Sequence, residues 1–552
     1  MHEAAFRRSR GVNRLAALAV VLAVFGALLA APPPARAAIF TVTNTNDSGI
    51  GSLRQAIINA NDSPGADTIE FNIPATGTNT INLLSPLPNI TGPVVINGET
   101  ESDWVAATTS TPASIRIELN GASAGGTGLV FAAGSGGSTV RGLAINRFVT
   151  GIRIETNNVT VRGSIIGLRP DGVTDPGTMT VGILIDNGSN NTIGGTIATT
   201  RNVISGNDTY GVQITGGGAT NNNVYGNYIG LSHTGDAAIG NGTTLTAGVF
   251  ITGGASGNQI GEGSTNGRNI ISGNPGAGVL INNNSGGNSV SGNYIGLDRA
   301  GATAIPNGVG VSVVNSPNTV IGGTARNIIS GNSNDGIRIS GATSTPTTIQ
   351  NNYIGLDAAG AVARGNGGDG IDISDSPNNQ IGSTNISLRN LISANSGNGI
   401  RIAGASAVNN IVQGNYIGTD LSGSLARGNV ANGVLLIGID SMTLGGTVAG
   451  AGNLISANGG AGVRLESNTQ NVQIQGNTIG TNVNGSSALP NSVGVRLESS
   501  PDNIIGGTVQ EARNIISGNT NQGVLINGTN SSGNVVRGNY IGTNGSGSAA
   551  IP

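Results

Sequence analysis

Apolar and polar residues alternate with a period of two over short segments along most of the chain, and the segments themselves recur. The phrase "GNYIG" places an isoleucine at 229, 295, 354, 417 and 541, and "GNTIG" adds Ile479, at intervals of 59 to 66 residues. Between them lies "RNIISGN" or a near copy, with its isoleucine at 204, 271, 329, 392, 455 and 516. Each half-repeat opens with Gly-Val/Ile-x-Ile/Val/Leu, and thirteen such openings run from Gly151 to Gly523. A third phrase of the type N-x-I falls between these two. Half a period is therefore about 30 residues and holds three short strands and three turns.

Period-two alternation turns one apolar set inward on every strand. Aligning the half-repeats puts Ile204, Ile229, Ile271, Ile295, Ile329, Ile354, Ile392, Ile417, Ile455, Ile479, Ile516 and Ile541 in one column. A second column runs Ile193, Val224, Ile260, Val290, Ile321, Ile349 and onward to Val536. Such columns arise when like strands pair in parallel, coil above coil, so that each coil buries what it could not bury alone. The pattern predicts an all-β, right-handed parallel β-helix solenoid with three strands per coil, of about fifteen coils and about 70 Å in length. A leucine-rich repeat would need leucine at its fixed positions and a shorter period, and a left-handed hexapeptide helix would need six-residue units. Neither is present.

The punctuation agrees. After each "IG" a four-residue turn begins at Asp298, Asp357, Asp420, Asn482 or Asn544 and ends at Gly301, Gly360, Gly423, Gly485 or Gly547, with Asp/Asn first and Gly last. The aspartates are read as turn formers rather than calcium ligands, because Asn replaces Asp freely and Ser232 holds the place once. Asn207, Asn274, Asn332 and Asn519, like Asn227 and Asn293, are expected to stack at a bend, their amides satisfying turn backbone. Residues 38–75 break the repeat and read as strand, short amphipathic helix from Ser52, then strand: an N-terminal cap for the open end of the helix. The repeats are expected to fill 76–552, and the chain reaches Pro552 inside a repeat, which reads as a truncation.

Residues 1–37 read as a secretory signal peptide. Arg7, Arg8, Arg10 and Arg14 precede an apolar run from Leu15 to Ala31, then prolines and an Ala35-Arg36-Ala37 cleavage pattern. A retained membrane anchor is the rival reading, but the run is short for a span and Pro32 to Pro34 break it at once. No later stretch is long and apolar enough to cross a bilayer. The expected location is therefore secreted or at the cell surface, without membrane insertion once the signal is removed.

Composition narrows the function classes. Glycine supplies 94 of 552 residues, while 37% are hydrophobic and only 10% charged, which excludes both a disordered chain and collagen. All 25 basic residues are arginine against 28 acidic ones, so no net basic charge argues for a nucleic-acid partner. There is no cysteine, which excludes disulfides and thiolate metal sites.

The segment "GSLRQAI" (51–57), followed by coils of the form "GVxI…NxIxGNxIG", resembles the bacterial exported right-handed parallel β-helix proteins of the CSLREA type, within the pectate-lyase-like superfamily. Gly51 stands where that motif has cysteine and Gln55 where it has glutamate. The resemblance covers nearly all of the chain after residue 37. It implies a large secreted or surface protein without assigned chemistry, on a fold whose enzymes cut or epimerise acidic polysaccharides.

Candidate chemistry is sparse. His2 lies in the signal and His233 in a turn, so no catalytic histidine is expected; there is no Ser-His-Asp set, zinc spacing or phosphate loop. The densest acidic spot holds Asp369, Asp372 and Asp375, with Asp335 one coil away from Asp369 and Arg338 and Arg401 nearby. One reading is a calcium or uronate site, since two carboxylates at about 5 Å repel unless they share a cation or proton. The other is an alternating-charge ladder of Arg338, Asp372 and Arg401, with Asp335 and Asp369 in solvated turns, and this is preferred. Arg464, Glu466, Arg496 and Glu498 form a similar lattice. No cofactor is expected, calcium being the one ion considered.

A stripe of outward positions beside the isoleucine column carries Tyr228, Tyr294, Tyr353, Tyr416 and Tyr540 on alternate coils. Exposed, it would be a surface for stacking on a glycan. Alternatively the inserts after "IGG" and "IG" fold over it and build a second small core, and this is the favoured outcome. The function expected is a non-enzymatic exported or cell-surface repeat protein, an adhesin, spacer or matrix component, whose partner would be an extracellular glycan or another cell-surface molecule. The alternative is a carbohydrate-active enzyme, a polysaccharide lyase rather than a hydrolase.

Overall fold

The computed structural model describes residues 36–108 and 111–552; the segment read as a signal peptide falls almost wholly outside them. The chain is a parallel β-helix. One row of strands, built on the Gly-Val-x-Ile phrase, forms a 14-stranded parallel sheet from Thr127–Phe131 to Val524–Asn527. A second row carries the N-x-I phrase, and a third the two-residue strands of the isoleucine column, in which Val203–Ile204 pairs with Tyr228–Ile229 and that with Ile270–Ile271, in parallel and in register. The pairing continues to Tyr540–Ile541.

The inward columns are those the alternation predicts. Ile204, Ile229, Ile271, Ile295, Ile329, Ile354, Ile392, Ile417, Ile455, Ile479 and Ile516 are buried in one continuous core, together with the second column from Ile193 to Ile505. Ile541 and Val536, in the last coil described, are exposed. Sterics explain the glycine that opens each first-row strand. A Cβ on Gly370 would stand 2.6 Å from the Gly399 carbonyl oxygen in the next coil and 2.7 Å from Ile392 Cγ2. The glycine after each column isoleucine has a different reason: Gly355 has φ +93°, which side chains rarely adopt.

Buried asparagines run along the solenoid in ladders. Asn202, Asn227, Asn269, Asn293, Asn327, Asn352, Asn390, Asn415, Asn453, Asn477, Asn514 and Asn539 form an unbroken chain in which each Nδ2 donates to the Oδ1 of the next. A second ladder runs from Asn207 through Asn241 and Asn274 to Asn519. Each member but Asn207 also donates to a carbonyl at a strand end, as Asn390 Nδ2 does to Ile349 O at 2.8 Å. The bends thus keep their backbone paired where water is excluded.

At the N-terminus, Ile39–Val42 pairs in parallel with Asp67–Phe71, which pairs with Val94–Asn97, so the segment read as a cap already supplies strands to the stack. The helix Leu53–Asp62 (α1) lies between the first two of these strands. Ser52 caps it by accepting from the Gln55 N–H, and Leu53, Ala56, Ile57 and Ala60 bury its apolar face. Arg54 ties it down, donating to Asp47 Oδ1 and to the carbonyls of Asp47, Ser85 and Pro86. Among the described residues no helix is long and apolar enough to cross a membrane.

Candidate functional site

The acidic cluster is a piece of a ladder. Asp335 Oδ1 accepts from the Asp369 N–H at 2.9 Å. Asp369 Oδ1 accepts from the N–H and Nδ2 of Asn398, Asn398 Oδ1 accepts from the same two groups of Asn432, and Asn432 Oδ1 accepts from the Ala461 N–H. Asp335 and Asp369 occupy the places that asparagines hold further along. Asp335 is only 7% exposed and Asp369 is half-buried, which corrects the expectation of solvated turns. Burial becomes tolerable for Asp335 because Arg338 Nε and Nη2 both donate to its Oδ2, at 2.9 and 2.6 Å.

Cross-strand register puts Arg338 opposite Asp372 and Asp372 opposite Arg401, as the charge-ladder reading requires. Only the second contact is an ion pair, at 2.6 Å, because Arg338 turns back to Asp335 instead. Asp375 stands apart, exposed and at φ +51° in a turn. Glu466, Arg464, Glu498 and Arg496 form a chain of three ion pairs at 2.7 to 3.0 Å. Among the described residues no three carboxylate or histidine side chains converge to hold a metal ion. The structure does not assemble Asp335, Asp369, Asp372 and Asp375 into a calcium cradle; it distributes them between a hydrogen-bond ladder, two ion pairs and a turn.

Asp369 is the strained member. Burial, reinforced by the charges of Asp335 and Asp372, raises its carboxyl above the ordinary range despite the two bonds from Asn398. An acid whose pKa rises on folding keeps its proton at pH values where the unfolded chain has lost it, so stability falls as pH rises. The penalty is complete above the folded pKa and vanishes below the unfolded one. Asp369→Asn should therefore raise the melting temperature at pH 7 by about 1–2 °C, its new Nδ2 donating to Asp335 Oδ1 as Asn398 does to Asp369. The gain should disappear by pH 3 in a melting series, and an equal gain at both pH values would refute this account.

The tyrosine stripe is covered. Tyr228, Tyr294, Tyr353 and Tyr416 are each less than a tenth exposed and join Ile270, Ile328, Leu391, Leu454 and the loop residues Leu231, Leu297 and Leu356 in a second core outside the helix. An exposed stacking surface for sugar rings is thus excluded for these four; Tyr540, in the last coil described, is half-buried. The loops after each "IG" form the cover. A Cβ on Gly301 would lie 2.7 Å from Tyr294 Cε2, and Gly235, Gly360, Gly423 and Gly547 approach Tyr228, Tyr353, Tyr416 and Tyr540 in the same way. Successive loops also bond to one another, Ala358 N–H to Gly301 O at 3.0 Å and Leu421 N–H to Gly360 O at 3.1 Å. In most of them the leading Asp or Asn organises the turn: Asp298 Oδ1 accepts from the Ala302 and Thr303 N–H groups, and Asn482 Oδ1 from those of Ser486 and Ser487.

Each of these five tyrosine rings also carries an arginine, an arrangement the sequence reading missed. The Cζ atoms of Arg201, Arg268, Arg326, Arg389 and Arg513 lie 4.4, 4.0, 4.1, 3.7 and 4.1 Å from the ring centroids of Tyr228, Tyr294, Tyr353, Tyr416 and Tyr540. A signal existed. In the one coil where Thr478 replaces the tyrosine, Gly452 replaces the arginine of the preceding "RN". The guanidinia line grooves between the two sets of inserts. One, of about 300 Å³, is bounded by Arg201, Tyr228, Asn266, Arg268, Ile270 and Arg299. A smaller one, of about 80 Å³, lies between Arg326 and Arg389.

No family model and no curated protein matches the sequence. Solved structures are similar in fold only. A mutant of the periplasmic alginate epimerase AlgG is 14% identical, with 77% of this chain and 76% of that one covered and a TM-score of 0.38. PfbA, a surface adhesin of Streptococcus pneumoniae, is 11% identical over 91% and 93%, with a TM-score of 0.31. The PL6 family alginate lyase AlyGC is 9% identical over 91% and 100%, with a TM-score of 0.32. At this identity and superposition no activity carries over to the present chain.

Proposed function

We propose that this is a non-catalytic β-helix repeat protein, exported by residues 1–37 and working as a rigid rod at the cell surface or in the surrounding matrix. The observation that carries the reading is the use made of the acidic cluster. Asp335, Asp369 and Asp372, the residues best placed for lyase or epimerase chemistry, are engaged in coil-to-coil hydrogen bonds and ion pairs. A general base or calcium ligand needs lone pairs free to meet substrate or metal. Removing these partners would dismantle a ladder. The rest of the architecture, with its asparagine ladders and interlocked loops, favours length and stiffness over a mobile active site.

Incubation with polygalacturonate, alginate and other acidic glycans, with and without calcium, tests this directly. The expected result is no unsaturated uronide absorbance, no change in uronate composition by NMR, and no calcium-induced rise in melting temperature. Turnover that disappears in Asp372→Asn would overturn the proposal in favour of a polysaccharide lyase.

A further inference from the structure

The arginines on the tyrosine rings are placed at every second coil. Arg201, Arg268, Arg326 and Arg389 stand two residues before Val203, Ile270, Ile328 and Leu391, which alternate with Tyr228, Tyr294 and Tyr353 in one parallel ladder. Two coils make about 10 Å. Among the described residues none of the four is in an ion pair, unlike the arginines of the first-row sheet. Their few hydrogen bonds, such as Arg326 Nε to Asn351 Oδ1 and Arg389 Nε to Gly414 O, occupy one edge of the guanidinium, and Arg268 Nε has no hydrogen-bond partner. The acids within the same inserts bond to their own loops, although Asp236 also lies near Arg299, whose charge adds to the Thr234 bond in holding its carboxyl below the ordinary range. Asp236 accepts from Thr234 and Ser232, and Glu262 from Ser264.

Arg201 and Arg268, neither in an ion pair among the described residues, face one groove of about 300 Å³, and two like charges there repel one another unless an anion lies between them. The stack on tyrosine fixes each guanidinium plane, so an oxyanion meets a preformed fork rather than a flexible chain. We infer that this row binds an extended anionic glycan carrying one acid group per disaccharide, laid along the solenoid axis with successive acid groups on successive arginines. The spacing selects the ligand. Two coils match an extended disaccharide, whereas duplex DNA presents a charge every ~1.7 Å. The inference rests on the non-catalytic reading and names the ligand of such a rod.

Hyaluronan oligosaccharides, with one carboxylate per disaccharide, are the probe. Calorimetry on the full chain should show no measurable binding of a disaccharide, binding of the octasaccharide, and a loss of affinity as sodium chloride is raised. The methyl-esterified octasaccharide should bind at least about tenfold more weakly. Arg326→Gln with Arg389→Gln should weaken the native octasaccharide about tenfold, whereas Arg496→Gln on the first-row sheet should not. Equal binding of the esterified sugar, or duplex DNA binding as tightly as the octasaccharide, would overturn the inference, and the ligand-side comparison holds even if the double variant fails to fold. Absence of binding without turnover would sink only this inference; turnover would sink the non-catalytic reading.

Discussion

Ile354→Asp and Tyr353→Asp should both unfold the middle of the solenoid, although the two residues face opposite ways. Ile354 is inward and fully buried, touching the isoleucines of the coils before and after it. A carboxylate there has no cation within reach, and an unpaired buried charge costs about 4 kcal/mol or more. Tyr353 points outward from the helix yet is 3% exposed, held between the Arg326 guanidinium and the loop that carries Gly360. Its replacement empties a ring-sized space in the second core, worth about 3–5 kcal/mol. The new charge is relieved in part by Arg326. Burial already pushes the Tyr353 phenol upward, which marks how dry the site is. Chemical denaturation of both variants beside Tyr353→Phe, which keeps the ring, checks this. A mild Tyr353→Asp with a severe Ile354→Asp would mean that the loops do not seal the stripe in solution.

Those two neighbours also show what the sequence makes legible. An inward isoleucine announces itself because its equivalents above and below are isoleucine too, and a period of two leaves it only one face. The facing of Tyr353 was equally clear, but whether that face meets water depends on inserts whose lengths vary and whose contacts are non-local. The arginine on each ring was hidden for the same reason. Arg326 and Tyr353 lie 27 residues apart with a full strand row and bend between them, and only folding the coil brings them within 4.1 Å. The joint loss of both partners at Gly452 and Thr478 was the one readable trace. The acidic cluster was legible in register but not in environment. Alternation places Arg338 opposite Asp372, yet the bond goes to Asp335, three residues earlier on the same strand approach. The repeat phrases point to Asn207, Asn274, Asn332 and Asn519 in one ladder and to Asn227 and Asn293 in the other; the intervening Asn241, Asn307 and Asn366 follow loops of unequal length that blur their alignment.

The asparagine ladder should prove as sensitive as the isoleucine core. Asn390 Oδ1 accepts from both the N–H and the Nδ2 of Asn352, at 3.0 Å each, while its Nδ2 donates to Ile349 O and Asn415 Oδ1. All four residues are fully buried. Asn390→Ala therefore leaves the Asn352 N–H without an acceptor and takes a donor from Ile349 O and Asn415 Oδ1, where no water can replace it. At about 1–3 kcal/mol for each buried group left unsatisfied, the loss comes to about 3–6 kcal/mol. Asn390→Asp separates acceptor from donor. It keeps the oxygen that Asn352 needs but turns a second oxygen toward Ile349 O and Asn415 Oδ1, and buries a charge that Arg389, stacked on Tyr416 and bonded to Gly414 O, does not meet. Aspartate is accepted at 335 in the acidic ladder because Arg338 neutralises it and at 369 only with a raised pKa. Asn390→Asp should accordingly be at least as damaging as Asn390→Ala at pH 7 and recover toward it as the carboxyl protonates at low pH. Equilibrium denaturation of the two variants at pH 7 and pH 4 reads both effects. An Asn390→Asp variant as stable as the parent at pH 7 would show that the ladder works through its acceptors alone, and that the amide donors do not hold the bends.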